Sequence, residues 1–123
     1  MGDGKSLEIS HDVVDDISIL KLSGFLDANT APHLESNIEG LINKSGYKII
    51  VNFNDLDYIS SAGLGVFMSQ IETIRDNNGD LKMSNMQKKV YSVFELLGFP
   101  MIFEICDTQE ECIKKFGNGK VDE

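Results

Sequence analysis

The sequence predicts a single α/β domain built on a mixed, mostly parallel central sheet. Three observations predict it. Apolar runs of strand length alternate with stretches whose apolar residues recur at helical spacing. The run Tyr47–Phe53, YKIIVNF, carries three consecutive β-branched residues, as in a strand covered on both faces. The length of 123 residues, 41% hydrophobic and 25% charged, suits one domain that buries a core without disulfides or metal.

The elements follow in order. Leu7, Ile9 and Val13 alternate with polar residues, Asp15-Asp16 marks a turn, and Ile17–Leu22 is rich in Ile and Leu. These read as two strands forming an antiparallel edge, the second ended by Gly24. Asn29-Thr30 ahead of Pro32 signals a helix start. Leu34, Ile38, Leu41 and Ile42 then form one helical face, and Gly46 stops it. Tyr47–Phe53 is the central strand, and Asn54-Asp55 opens a loop. Leu64, Phe67, Met68, Ile71 and Ile74 form the inner face of a second helix, with Gln70 elsewhere and Asn77-Asn78-Gly79 at its end. Leu81 and Met83 belong to a short strand. Asn85 is placed to cap a third helix with Val90, Phe94 and Leu97 inward, closed by Gly98 and Pro100. Phe103–Cys106 is a brief strand. Thr108 and Glu111 have capping-box spacing for a fourth helix running to about Phe116. The predicted domain thus spans 7–116, with a polar leader at 1–6 and a polar tail at 117–123; both ends read as flexible.

Composition narrows the function classes. A net charge of −9 without a basic stripe disfavours nucleic acid and suits a basic protein partner. No apolar run approaches the roughly 20 residues of a membrane span, and no signal core opens the chain. Cys106 and Cys112 are too few and too oddly spaced for a zinc site. They read as reduced thiols in a cytoplasmic protein.

Enzyme readings lack parts. His11 and His33 stand near element ends, without a carboxylate or cysteine at ligand spacing. Ser61 lies in Ile59-Ser60-Ser61-Ala62-Gly63, half of the Gly-x-Ser-x-Gly elbow of a hydrolase. Gly63-Leu64-Gly65 has neither the Lys-Ser/Thr of a P-loop nor a third glycine. Asp27, Asp55 and Asp57 all follow strands; they suit turns and caps, and also a magnesium ion. What remains is Asp57–Gly65, DYISSAGLG, after the central strand, where ligands of open α/β sheets gather. Its small residues admit another surface close to the backbone. Serine there is a preferred helix cap. It is also a favourable place for a phosphate, beside the helix dipole. On the residues alone both readings stand.

Three pieces carry a family resemblance: LKLSGFLDANTAPHLESNI, YKIIVNFNDLDYISSAGLGVF and the Leu96-Leu97-Gly98-Phe99 close of the third helix. From about Leu7 to Phe116 the chain resembles the STAS domain, the family of sulfate-transporter domains and bacterial anti-sigma factor antagonists. The resemblance implies a STAS-like fold and no enzymatic activity, catalytic residue or cofactor. It implies partner switching: the unphosphorylated form binds an anti-sigma factor that is also a serine kinase, releasing a sigma factor. Phosphorylation of a helix-start serine ends the complex, and a serine phosphatase restores it. The matching serine is Ser61, with Ser60 second. The implied contact patch is Asp27, Asp57, Tyr58, Ser60, Ser61, Ala62, Gly63 and Leu64. Two positions depart from the family's pattern. Ser60 stands where many phosphorylated members carry an acid, and Asn52 where many carry Asp. The Ser60 departure keeps a second reading open: an unphosphorylated scaffold, or a module for a small anion or nucleotide.

Overall fold

The computed structural model describes residues 6–117; apart from Ser6 and Gly117, the predicted leader and tail lie outside the described residues. A five-stranded sheet runs in the order β1 (Leu7–Val14), β2 (Ile17–Leu26), β3 (Lys48–Ile59), β4 (Asp80–Ser84), β5 (Ile105–Cys106). β1 is antiparallel to β2, and every other pairing is parallel. The helices are α1 (Ala31–Ser45), α2 (Ser61–Asp76), α3 (Lys88–Leu96) and α4 (Gln109–Gly117).

Strand alternation divides the core between two faces. Ile49 and Val51 of β3 face a large cluster with Leu34 and Ile38 of α1, Leu64, Phe67 and Ile74 of α2, and Val90 and Phe94 of α3. Ile50, between them, joins Ile17 and Ile19 of β2 under α4, with Cys106 and Cys112. Both faces are therefore covered, as the β-branched run requires. Five phenylalanines bind the large cluster. Phe94 meets Phe53 and Phe99 edge-on at 5.4 and 5.5 Å, and Phe99 stacks on Phe103 at 5.4 Å. Phe67 completes the group, 5.8 Å from Phe53. Such ring pairs contribute about 0.5–1.5 kcal/mol each beyond the area they bury.

Several expected boundaries move. Gly24 does not end β2. It lies within the strand at φ 104°, where a Cβ would collide with the Ser6 carbonyl oxygen, and the ladder shifts register on either side of it. Asn54-Asp55 does not leave the sheet, because β3 continues twelve residues to Ile59, pairing Phe25 with Tyr58 and Leu26 with Ile59. Exposed polar residues there mimic a loop, while buried Leu56 and Ile59 hold the strand.

Helix faces also differ from expectation. Met68 is 43% exposed, while Gln70 is buried against α1 and donates to Glu39 at 3.4 Å. Leu97 is 48% exposed, at the C-cap of α3 rather than inside it. Asn85 does not cap α3; it is left-handed at φ 60°, and Gln87 holds the cap position. The Gln87 side chain instead donates to the Asn54 and Leu56 carbonyls at 2.9 and 3.0 Å, tying α3 to β3. β5 shortens to Ile105–Cys106 because Phe103 turns into the aromatic cluster. The α4 capping box forms with one arm displaced: Thr108 Oγ1 accepts from the Glu111 N–H at 3.2 Å, whereas Glu111 accepts from Asp107.

Candidate functional site

The carboxyl end of β3 leads directly into α2, and the two serines of that junction take different positions. Ser60 is the N-cap, in extended conformation, and its Oγ accepts from the Gly63 N–H at 3.3 Å. Its own N–H donates to the Leu26 carbonyl at 3.0 Å, so the end of β2 holds the helix start in place. Ser61 is the first helical residue and is exposed, as is Ala62 behind it. The capping reading and the exposed-hydroxyl reading thus fall on different side chains.

Gly63 shows why the junction needs small residues. A Cβ there would stand 2.7 Å from Leu26 Cγ and 2.8 Å from the Leu26 carbonyl oxygen. Glycine lets α2 settle against the end of β2; Leu64 beside it is buried in the core. Gly65 is different, since a Cβ at that position meets nothing within 4 Å among the described residues. The N–H of Gly63, which a phosphate cradle would use, is already held by Ser60.

Asp27 follows Leu26, and so comes to the same mouth. Its Oδ1 accepts from the N–H groups of Asn29 and Thr30 at 2.9 and 3.2 Å. Thr30 answers by accepting from the Asp27 N–H and donating to the Phe25 carbonyl, both at 2.9 Å. Asp27 therefore shapes the approach to α1, and it is half-buried. Asp57 and Tyr58 are exposed near the carboxyl end of β3. The Tyr58 ring lies 5.8 Å from Phe25, forming an aromatic ledge beside the helix mouth.

Of the expected patch, Asp57, Tyr58, Ser60, Ser61, Ala62, Gly63 and Leu64 fall in one stretch of chain, and Asp27 is brought to its edge by the Leu26–Ser60 backbone hydrogen bond, but not all of it is surface. Gly63 and Leu64 are buried and position the rest. Phe25 and Thr30 were not legible as site residues, although Asp27-x-x-Thr30 is a recognisable local hydrogen-bonding pattern. Asp55 is engaged by Asn54, whose Nδ2 donates to it at 3.0 Å. Among the described residues, no group of three or more His, Cys, Asp and Glu side chains is placed to hold a metal ion. His11 lies on β1 and His33 on α1, both exposed. Asn52 is buried on the α4 side, donating to Gln109 at 2.9 Å and accepting from the Asn54 N–H. No helix among the described residues is long and apolar enough to cross a membrane.

The order of elements and the helix mouth at the carboxyl edge define a small α/β domain with an antiparallel edge strand and a serine-headed second helix. The chain belongs to the STAS domain family, whose model matches residues 8–112. It is 29% identical over 106 residues to the anti-sigma-B factor antagonist of Listeria monocytogenes, covering 86% of this chain and 92% of that one. Its fold is similar to an anti-sigma factor antagonist from Mycobacterium paratuberculosis, with TM-score 0.83, 19% identity and coverage of 94% and 97%. It is also similar to the anti-sigma factor antagonist SpoIIAA in its unphosphorylated form, with TM-score 0.77, 22% identity and coverage of 89% and 96%. The phosphorylated form of SpoIIAA aligns with TM-score 0.69, at the same identity and covering 89% and 99%.

Proposed function

We propose that this protein is an anti-sigma factor antagonist, docking through the α2 mouth and switched at Ser61. The single observation that carries the reading is the division of labour between the serines. Ser60 is committed to the cap, while Ser61 presents a hydroxyl to solvent at the head of a sixteen-residue helix. Relatives of similar length are named for antagonism of anti-sigma factors, and SpoIIAA, which shares the fold, is known in both phosphorylation states.

The partner is an anti-sigma factor that is also a serine kinase, and a serine phosphatase reverses the modification. Phosphate brings about −1.5 to −2 charges at neutral pH. On the free protein the N-terminus of α2 accommodates them, through its dipole and its unpaired N–H groups. In a closed interface they must be desolvated near Asp27 and Asp57. An unpaired buried charge costs several kcal/mol, and each 1.4 kcal/mol is about tenfold in affinity. No change of fold is needed. Ser60, at the position where the family resemblance places an acid in many phosphorylated members, caps the helix without charge, so a Ser61 phosphate has one fewer like-charged neighbour.

The test is incubation with the cognate anti-sigma kinase and ATP, followed by mapping of the modified residue. Wild type and Ser60→Ala should be labelled at Ser61, and Ser61→Ala should not. Unchanged labelling of Ser61→Ala would remove Ser61 from this role. A chain that binds the partner but is never labelled would favour the unphosphorylated scaffold, the reading that the missing acid at position 60 motivates.

A further inference from the structure

The flank of the sheet under α4 holds reactive groups that the docking site does not use. Cys106, on edge strand β5, and Cys112, in the first turn of α4, are free thiols packed in one small cluster with Ile17, Ile19 and Ile50. Both side chains belong to that cluster, on the face of the sheet that α4 covers. Cys112 is fully buried and its Sγ donates to the Met83 carbonyl at 3.2 Å. Cys106 is 7% exposed and lines an open cleft of about 430 Å³, together with Met86, Lys88, Tyr91 and Asp107. Its ladder partner on β4 is Ser84, which shares its face of the sheet. Ser84 is completely buried, and its hydroxyl has no hydrogen-bond partner among the described residues.

We propose that Cys106 and Cys112 form a peroxide-oxidisable dithiol, a modification site at the junction of β5 and α4. The part of Cys106 that stays exposed at this edge of the sheet is where hydrogen peroxide would enter. The Cys106 thiolate attacks one peroxide oxygen, the O–O bond breaks, and hydroxide leaves, giving a sulfenic acid. Its oxygen supplies the partner that the Ser84 hydroxyl lacks. The Cys112 sulfur then attacks the Cys106 sulfur, the S–O bond breaks, and water leaves. In sum two thiols and one peroxide give one disulfide and two waters, with two electrons passing from sulfur to peroxide.

The order of events follows from the surroundings. Burial and the Cys106 contact push the Cys112 thiol above its ordinary pKa, and the nearby Lys82 ammonium only partly opposes them. Cys112 is therefore the resolving thiol, not the first to react. The resulting bridge would pin the first turn of α4 to the sheet edge, at the far side of the β-sheet from the α1–α3 cluster.

The experiment treats the full-length folded protein with hydrogen peroxide, then unfolds, alkylates and digests it with trypsin. Both cysteines fall on one tryptic peptide, Val90–Lys114, in which they are the only thiols. The expected product is about 2 Da lighter than the reduced peptide, takes up no alkylating reagent, and takes up two after prior reduction. Oxygen gained at Met101 does not affect this count of thiols. Cys112→Ser should instead leave Cys106 as a sulfenic acid that dimedone traps. Retention of both alkylatable thiols after peroxide treatment of wild type would overturn the proposal. So would loss of Cys106 alone as a sulfinic acid, or disulfides only between molecules.

Discussion

Two helix starts in this molecule use the same device and finish it differently. At α4, Thr108 Oγ1 accepts from an N–H three residues on, and Glu110 and Glu111 fill the first turn with negative charge. At α2, Ser60 Oγ does the same for Gly63, but the first turn holds no acid, only Ser61, Ala62 and Gly63. Both helices are capped; only one is electrostatically complete. The α4 start is built as a permanent structural end. The α2 start keeps an unused capacity for negative charge, with a hydroxyl in the place where that charge could be added.

The comparison can be broken at four points, in descending size of effect. Gly63→Ala should cost about 1–3 kcal/mol, measured by urea denaturation, because Leu26 backbone and side chain occupy the space a Cβ needs. A loss below about 0.5 kcal/mol would mean that the mouth can relax away from β2. Ser60→Ala should cost about 1 kcal/mol, as an N-cap loss. Thr108→Ala should cost a little less by the same assay, since the first-turn acids at α4 remain to meet the dipole. If removing Ser60 proved as harmless as a surface change while removing Thr108 did not, the two caps would not be equivalent devices. The smallest effect is expected on the stability of Ser61→Asp. Its melting temperature should hold or rise slightly, since an acid at the first helical position meets the dipole at about 0.3–1 kcal/mol.

Much of this was legible from residue order. The β-branched run Ile49–Val51 announced a strand buried on both faces, and the helical spacing of Leu34, Ile38 and Leu41 announced α1. Asp57–Gly65 stood out because small residues followed a buried strand. The displaced ends of β2 and β3 share one cause: local polarity and glycine imitate the end of a strand where tertiary pairing continues it. Gly24 and Asn54-Asp55 look like strand breakers, yet the β2–β3 ladder absorbs them through register shifts. Asn85 has the chemistry of a cap, but the chain needs a left-handed residue there, and Gln87 is drawn to β3 instead. Within the site, no sequence signal could assign the cap to Ser60 and exposure to Ser61. That depends on the Leu26 carbonyl receiving the Ser60 N–H, a contact between residues 34 positions apart.

The central claim is that the exposed hydroxyl of Ser61 controls docking through charge, not through shape. The most direct measurement is a calorimetric titration of the anti-sigma partner with the unphosphorylated protein and with Ser61→Asp, alongside their melting temperatures. The account predicts affinity at least about tenfold weaker for Ser61→Asp, some 1.4 kcal/mol or more, with no loss of stability. Equal affinities for the two proteins would contradict it.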